Sequence, residues 1–207
     1  MRQRLTPWMP PCLALVFGLV VIGGPLLFGG CGSVPYSERS QLRLISEDTE
    51  IEMGLQAWDE ILKGKSVETG TVRARMVEDV GRRLAAVAGK DYAWEFRLVQ
   101  DDATVNAFCL PGGKIAIYTG ILPFTQNPDG LAAVMGHEIA HALARHGAER
   151  VSQQMVTQSV LTIAEVGLGS QDEAVRQPIM AALGLGSEVG FLLPYSRLHE
   201  SEADAIG

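Results

Sequence analysis

Cysteine is scarce in this sequence, which has three, at positions 12, 31 and 109. Cys12 lies inside an apolar N-terminal stretch, and Cys31 follows shortly after that stretch. Only Cys109 remains in the body of the chain, which excludes an intramolecular disulfide there. Because its neighbours are apolar, we expect Cys109 to be a small apolar strand residue rather than a reactive thiol.

Basic residues are also few in comparison with acidic ones. The 207 residues include 17 lysines and arginines against 24 aspartates and glutamates, a formal net charge of -7. An acidic surface repels phosphate backbones, so nucleic acid is not an expected partner. No internal repeat or low-complexity block is present, and 47% of the residues are hydrophobic. This composition excludes disorder for most of the chain and suits one compact domain.

The first 30 residues have the pattern of an export signal. Arg2 and Arg4 are followed by no charged residue until Glu38, and residues 12–28 are predominantly apolar. A positive start, an apolar stretch and then small residues are typical of secretory signals. The segment from Leu27 to Cys31 resembles a bacterial lipoprotein box, in which the cysteine is acylated and becomes the new N-terminus.

A retained transmembrane helix is the alternative, because about 20 apolar residues can span a bilayer. Gly23, Gly24 and Pro25 weaken a continuous helix in this region. In both cases the body of the chain lies outside the cytoplasm, tethered to a membrane of the bacterial cell envelope. We therefore divide the chain into a signal peptide (1–30), a flexible tether (31–45) and one domain (46–207).

Hydrophobic periodicity predicts an α+β domain that is mostly helical. Apolar residues at helical spacing predict helices at 48–62, at 71–88 and from about 196 onward. Alternating or β-rich segments predict strands at 94–99, 106–110 and 114–119, with a turn at Pro111-Gly112-Gly113 between the last two.

The strongest helix start in the chain is at Asn127, which can cap the helix, with Pro128 at the first helical position. We expect this helix to run to at least Ala148. Residues 167–190 are rich in glycine, and we predict a mobile surface segment there with a short helical patch at 173–183.

The long predicted helix contains the segment His137-Glu138-Ile139-Ala140-His141. Residues four apart lie on one helix face, about 40° apart, so both imidazoles can bind one ion. Neutral imidazole is a preferred zinc ligand. Glu138 lies about 100° around the axis from His137, beside the ion, where a general base is needed. The same spacing occurs by chance in solvated helices, but the apolar flanks make these groups costly to bury without a metal.

A catalytic zinc takes three protein ligands and keeps one position for water. On a continuous helix His146 is about 180° from His137, so we expect it to face elsewhere, in a capping or packing role. Glu200 and Asp204 share one face of a later helix, so one can bind the metal while the other accepts a hydrogen bond from a ligating imidazole. Glu202 should point away from that face. The alternative is that these acids form a solvated face.

Three stretches together resemble the gluzincin-type zinc metallopeptidases, the family of the CAAX prenyl protease and the bacterial proteases HtpX and BepA. They are Asn106 to Gly120, His137 to His146, and Tyr195 to Asp204. The resemblance implies a zincin-like domain with a small sheet or hairpin at the edge of an active-site cleft.

The same resemblance implies roles for individual residues. One zinc ion per chain is expected on His137, His141 and Glu200, with Glu138 as the base and Asp204 behind a ligand. The hairpin that includes Asn106, Gly112 and Gly113 is expected beside the cleft, where a substrate can pair as an added strand.

The implied function is zinc-dependent endopeptidase activity on misfolded or misassembled envelope proteins, as quality control. The alternative is a non-catalytic, metal-bearing lipoprotein that acts as a scaffold or chaperone, and the intact Glu138 argues against it. In a third interpretation, an acidic structural lipoprotein without metal, both motifs are accidental. Family members continue past the last motif, so we expect a C-terminally truncated domain whose oxyanion-stabilising residue lies beyond Gly207. The sequence does not specify the oligomeric state.

Overall fold

The computed structural model describes residues 31–37, 39–167 and 196–207, with side chains up to Val156 in the helix that ends at Gly167. The predicted signal peptide and the glycine-rich segment lie outside the described residues. The predicted α+β, mostly helical fold is confirmed. The helices are α1 (Glu47–Leu62), α2 (Val72–Val87), α3 (Leu122–Thr125), α4 (Pro128–Leu143), α5 (His146–Gly167) and α6 (Arg197–Ile206). Among these helices, none has the length and apolarity needed to cross a membrane.

Six short strands form two sheets in the described part of the chain. They are β1 (Cys31–Ser33), β2 (Ser40–Leu42), β3 (Val67–Glu68), β4 (Glu95–Val99), β5 (Ala107–Leu110) and β6 (Lys114–Tyr118). The larger sheet has the order β3-β4-β6-β5, with β4 parallel to β6 and β5 antiparallel to it. Gly112 and Gly113 make the predicted turn at φ of 83° and 82°, values that favour glycine.

Helices cover both faces of this sheet, which explains why every residue of β6 is buried. Ile115 and Ile117 point to one face, where they share a core with α2 and α4. Ala116 and Tyr118 point to the other face and pack in a second core with Trp58 of α1. The sheet therefore packs against one face of α4, and the opposite face of that helix is available to other elements.

The helix predicted to continue through Ala148 is broken. It ends at Leu143, and Arg145 adopts a left-handed backbone with φ of 56° before α5 begins at His146. The Arg145 guanidinium forms a buried ion pair with Glu50 of α1, Nε to Oε2 2.6 Å. This partner is distant in sequence, so the apolar periodicity of the helix did not indicate the break.

Residues 31–45, predicted to be a flexible tether, contain an antiparallel hairpin of β1 and β2 that packs on the domain. Val34 and Gln41 are buried, and the N–H of Leu44 donates to Ser152 Oγ of α5 at 2.9 Å. Strands of three residues are too short to produce a recognisable hydrophobic alternation, which is why the sequence pattern missed them.

Candidate metal centre

Helix α4 presents the first two candidate ligands. As predicted, Asn127 caps it: its side-chain oxygen accepts from the N–H groups of Asp129 (3.0 Å) and Gly130 (2.9 Å). Leu131 and Met135 are completely buried in the core, and they fix the rotation of the helix. His137 and His141 consequently share a face directed toward α6.

Helix α6 supplies the third candidate ligand. It begins after Ser196, whose hydroxyl accepts from the N–H of His199 at 3.3 Å. The two helices approach closely beside the histidines, since a Cβ added to Gly136 of α4 would lie 3.1 Å from the carbonyl oxygen of Gly207. This close approach brings Glu200 against the histidine face of α4.

Three potential ligand atoms converge between the helices. His137 Nε2 lies 3.0 Å from His141 Nε2 and 3.3 Å from Glu200 Oε2. His141 Nε2 lies 3.7 Å from Glu200 Oε1. Tetrahedral zinc with bonds of about 2.0–2.1 Å separates its ligand atoms by about 3.3 Å. One atom from each of the three side chains lies within 4.8 Å of the others, so two imidazoles and one carboxylate form a suitable donor set for a divalent metal.

The outward nitrogens of both imidazoles have partners. His137 Nδ1 lies 2.8 Å from Asp204 Oδ1, so Asp204 can accept a hydrogen bond from this imidazole. His141 Nδ1 lies 2.9 Å from Nδ1 of His146. Burial, together with neighbouring positive groups, lowers the pKa of His141 to about 3. The imidazole is therefore neutral at physiological pH, which is the form that binds metals.

Glu138 lies between the two histidines in sequence and is partly buried. Burial raises the pKa of its carboxyl to about 7, with His137 opposing the shift and Glu200 adding to it. A carboxyl group with this pKa can both accept and release a proton near neutral pH.

His146 lies where a continuous helix would not put it. Because the chain turns at Arg145, the His146 ring lies beside His141, with ring centroids 5.0 Å apart. The predicted angle of about 180° assumed a continuous helix and is not observed, whereas the complete burial of His146 agrees with the predicted packing role. Its Nε2 lies 2.9 Å from Glu202 Oε2, so Glu202 points away from Glu200, as predicted, and into the interior.

A buried charge network that the sequence did not indicate lies behind the metal centre. The Arg39 guanidinium, from the N-terminal hairpin, binds Glu149 of α5 with two hydrogen bonds of 2.8 and 2.7 Å. It also donates to Glu202 Oε2 at 2.8 Å. His199 Nε2 lies 3.1 Å from Glu149 Oε2, and its ring stacks on His146 with centroids 4.4 Å apart. Isolated residues at such separations leave no motif in a sequence.

The predicted substrate-binding residues occupy different environments. Asn106 is exposed just before the edge strand β5. Gly112 and Gly113 are buried in the turn at the other end of the strand, and a Cβ on Gly113 would lie 2.8 Å from the Trp94 ring. Cys109 is buried in β5, in agreement with the expected apolar strand residue, and burial raises the pKa of its thiol.

The chain is similar in sequence to known peptidases. The profile of the family described as "Peptidase family M48" matches residues 71–207. Mitochondrial metalloendopeptidase OMA1 of Schizosaccharomyces pombe is 34% identical over 197 residues, covering 93% of this chain and 56% of that protein. OMA1 of Saccharomyces cerevisiae is 32% identical over 205 residues, covering 88% and 56%. The beta-barrel assembly-enhancing protease of Escherichia coli is 27% identical over 182 residues, covering 78% and 37%. The chain thus spans about half the length of these two OMA1 proteins. It spans a smaller share, 37%, of the beta-barrel assembly-enhancing protease.

Proposed function

The chain belongs to peptidase family M48, and we propose that it is a zinc-dependent endopeptidase that binds one zinc ion per chain. In this proposal His137, His141 and Glu200 are the metal ligands and Glu138 is the general base. The observation that carries the proposal is the convergence of one atom from each of the three ligands within 4.8 Å, from two separate helices.

In the proposed reaction, the metal, Glu138 and Asp204 have separate roles. When bound, zinc supplies Lewis acidity, which polarises a scissile carbonyl and lowers the pKa of a water from about 16 to about 7. Glu138 takes up the proton released as water attacks and passes it to the leaving amine. Asp204 accepts a hydrogen bond from His137 Nδ1, which keeps the Nε2 lone pair directed at the metal.

We infer that the substrate pairs with the edge of β5 that faces away from β6. The N–H of Tyr118 donates to the carbonyl of Asn106 at 3.1 Å, and alternate residues continue this ladder at Phe108. The main-chain groups of Ala107 and Cys109 must then point to the other side. Among the described residues β5 pairs only with β6, so an extended peptide can add a strand there. The burial of Gly112 and Gly113 favours a turn-forming role for them instead of direct contact.

We also propose that the chain is a lipoprotein of the bacterial envelope, acylated at Cys31, with misassembled envelope proteins as substrates. The lipoprotein box supports this, as does the similarity to the beta-barrel assembly-enhancing protease. The similarity to mitochondrial relatives is neutral on the point. Mass spectrometry of the mature protein should find a lipid-modified Cys31 at the N-terminus. An intact Met1 or cleavage elsewhere would contradict the proposal.

The substitution Glu138→Gln tests whether the protein is an enzyme or a metal-bearing scaffold. It keeps the size of the side chain and removes the base. In the full-length natural protein it should reduce cleavage of unfolded casein by about 10²–10⁴-fold, with zinc content unchanged. A wild type that holds zinc but cleaves casein no faster than the variant would overturn the protease proposal and favour the scaffold.

A further inference from the structure

A second imidazole lies directly behind the proposed metal ligand His141. The two Nδ1 atoms of His141 and His146 are 2.9 Å apart, and Nε2 of His146 lies 2.9 Å from Glu202 Oε2. Neither the His146 ring nor the Glu202 carboxylate is open to solvent, since these side chains are 0% and 5% exposed. The three side chains therefore form a continuous buried chain of polar contacts.

The chemistry of these contacts selects one arrangement of protons. A contact between two Nδ1 atoms requires that one carries the proton and the other accepts it. If His141 binds a metal through Nε2, its Nδ1 carries the proton and donates to His146. The Nε2 of His146 then carries a proton and donates to the Glu202 carboxylate, which can only accept when ionised. The opposite arrangement would place two lone pairs against each other at Glu202.

We propose that His146 and Glu202 are positioning residues that hold His141 in the tautomer whose Nε2 lone pair faces the metal. The proposal rests on the ligand set given under the proposed function. His137 has its carboxylate partner, Asp204, in direct contact, whereas the carboxylate partner of His141 acts through an intervening imidazole. Metal-binding histidines generally depend on such outer partners for their orientation.

The position of Glu202 is fixed in turn by the N-terminal hairpin. Arg39 donates to Glu202 Oε2 from Nη2 at 2.8 Å and from Nε at 3.1 Å, and the Ser37 hydroxyl donates to Oε1. With both carboxylate oxygens held, Glu202 cannot rotate away from His146. The hairpin therefore contributes to the support of the metal centre, although Arg39 is 163 residues from Glu202 in sequence.

The first test needs no substitution. Long-range ¹H–¹⁵N correlation spectra of the zinc-loaded chain report which ring nitrogen of each histidine carries a proton. We expect the proton on Nδ1 of His141 and on Nε2 of His146. A proton on Nδ1 of His146 would overturn the proposal, because His141 could then not donate to it.

The second test measures the dissociation constant for zinc alone. His146→Phe fills the same space without an acceptor, and Glu202→Gln removes the charge that His146 contacts. Each should weaken zinc binding by about 10–100-fold. His146→Gln should recover most of the affinity, since its amide can accept from His141 and donate to Glu202. Binding by His146→Phe as tight as that of the wild type would overturn the proposal.

A matched control separates positioning from general loosening. Glu95→Gln also neutralises a partly buried carboxylate that pairs with a basic side chain, that of Lys114 at 3.2 Å, but Glu95 lies in β4 and is not part of the network described above. It should leave the zinc affinity of the folded protein unchanged. An equal loss of affinity in Glu95→Gln and Glu202→Gln would overturn the positioning role. Unchanged zinc binding in His141→Ala would instead refute the ligand set itself.

Discussion

Arg145 donates from Nε to Oε2 of Glu50 at 2.6 Å, and this buried ion pair lies at the point where α4 ends and α5 begins. The pair connects α1 to the break that places His146 behind the metal centre. Without it, the left-handed conformation of Arg145 would have no compensating interaction of this strength. The break thus coincides with a contact between residues that are 95 positions apart.

The first prediction concerns this ion pair. Glu50→Ala leaves the Arg145 guanidinium buried without its carboxylate and should lower the free energy of unfolding by about 3–5 kcal/mol. Urea denaturation followed by circular dichroism measures the change. Glu52→Ala, at an exposed position of the same helix, is the control and should stay within about 0.5 kcal/mol of the wild type. Equal effects of the two substitutions would contradict a specific role for the pair.

The sequence predicted the elements that hold the candidate ligands better than their surroundings. Helical geometry alone placed His137 and His141 on one face, and the helix predicted from about residue 196 put Glu200 and Asp204 on one face. These predictions use local geometry, which a sequence contains. His146 was misplaced because the chain turns at Arg145, whose side chain pairs with a distant glutamate.

The N-terminal hairpin shows the same limit. Residues 31–45 are short of apolar residues at regular spacing, so they indicated a tether. Within this segment, Arg39 pairs with carboxylates on α5 and α6. Contacts between single charged residues far apart in sequence produce no periodicity and no motif, and only the folded chain reveals them.

The second prediction concerns metal content. His141→Ala should abolish stoichiometric zinc binding, because it removes one of three ligands. Asp204→Asn should keep the site but weaken the affinity for zinc by about 10–100-fold, since the amide is a poorer acceptor for His137 Nδ1. Elemental analysis and a competition assay with a chelating dye measure the two effects. One zinc per chain in His141→Ala would rule out the assigned ligand set.

The third prediction concerns the substrate edge. Ala107→Pro removes an N–H that the β5–β6 ladder does not use, at the first residue of a strand, where proline is tolerated. We expect peptide cleavage to show a higher KM with zinc affinity unchanged. Val105→Pro, at an exposed position before the strand, is the control. If Ala107→Pro leaves KM at the wild-type value, the substrate does not pair with this edge.

The fourth prediction concerns pH. Burial alone would raise the pKa of Glu149, but hydrogen bonds and charge from Arg39 outweigh it and lower the pKa below 4.5. A carboxyl with a lowered pKa stabilises the fold above its unfolded value, and this contribution is lost as the pH falls through the folded value. Stability should therefore decline below about pH 4.5, and less steeply in Glu149→Gln. Urea denaturation between pH 3 and 7 tests this, with the exposed Glu52→Gln as control. Parallel curves for wild type and Glu149→Gln would contradict it.

The last prediction tests whether residues 31–45 belong to the folded domain. Arg39 binds both Glu149 and Glu202, so Arg39→Met leaves two buried carboxylates without their cation and should lower the free energy of unfolding by at least about 1.5–3 kcal/mol. Arg39→Lys should recover only part of this loss, because an ammonium cannot reproduce the paired hydrogen bonds of a guanidinium. Arg83→Met, at an exposed position of α2, should have little effect. If residues 31–45 were a flexible tether, Arg39→Met and Arg83→Met would have equal midpoints in urea, and protease digestion would remove the hairpin without destabilising the remainder.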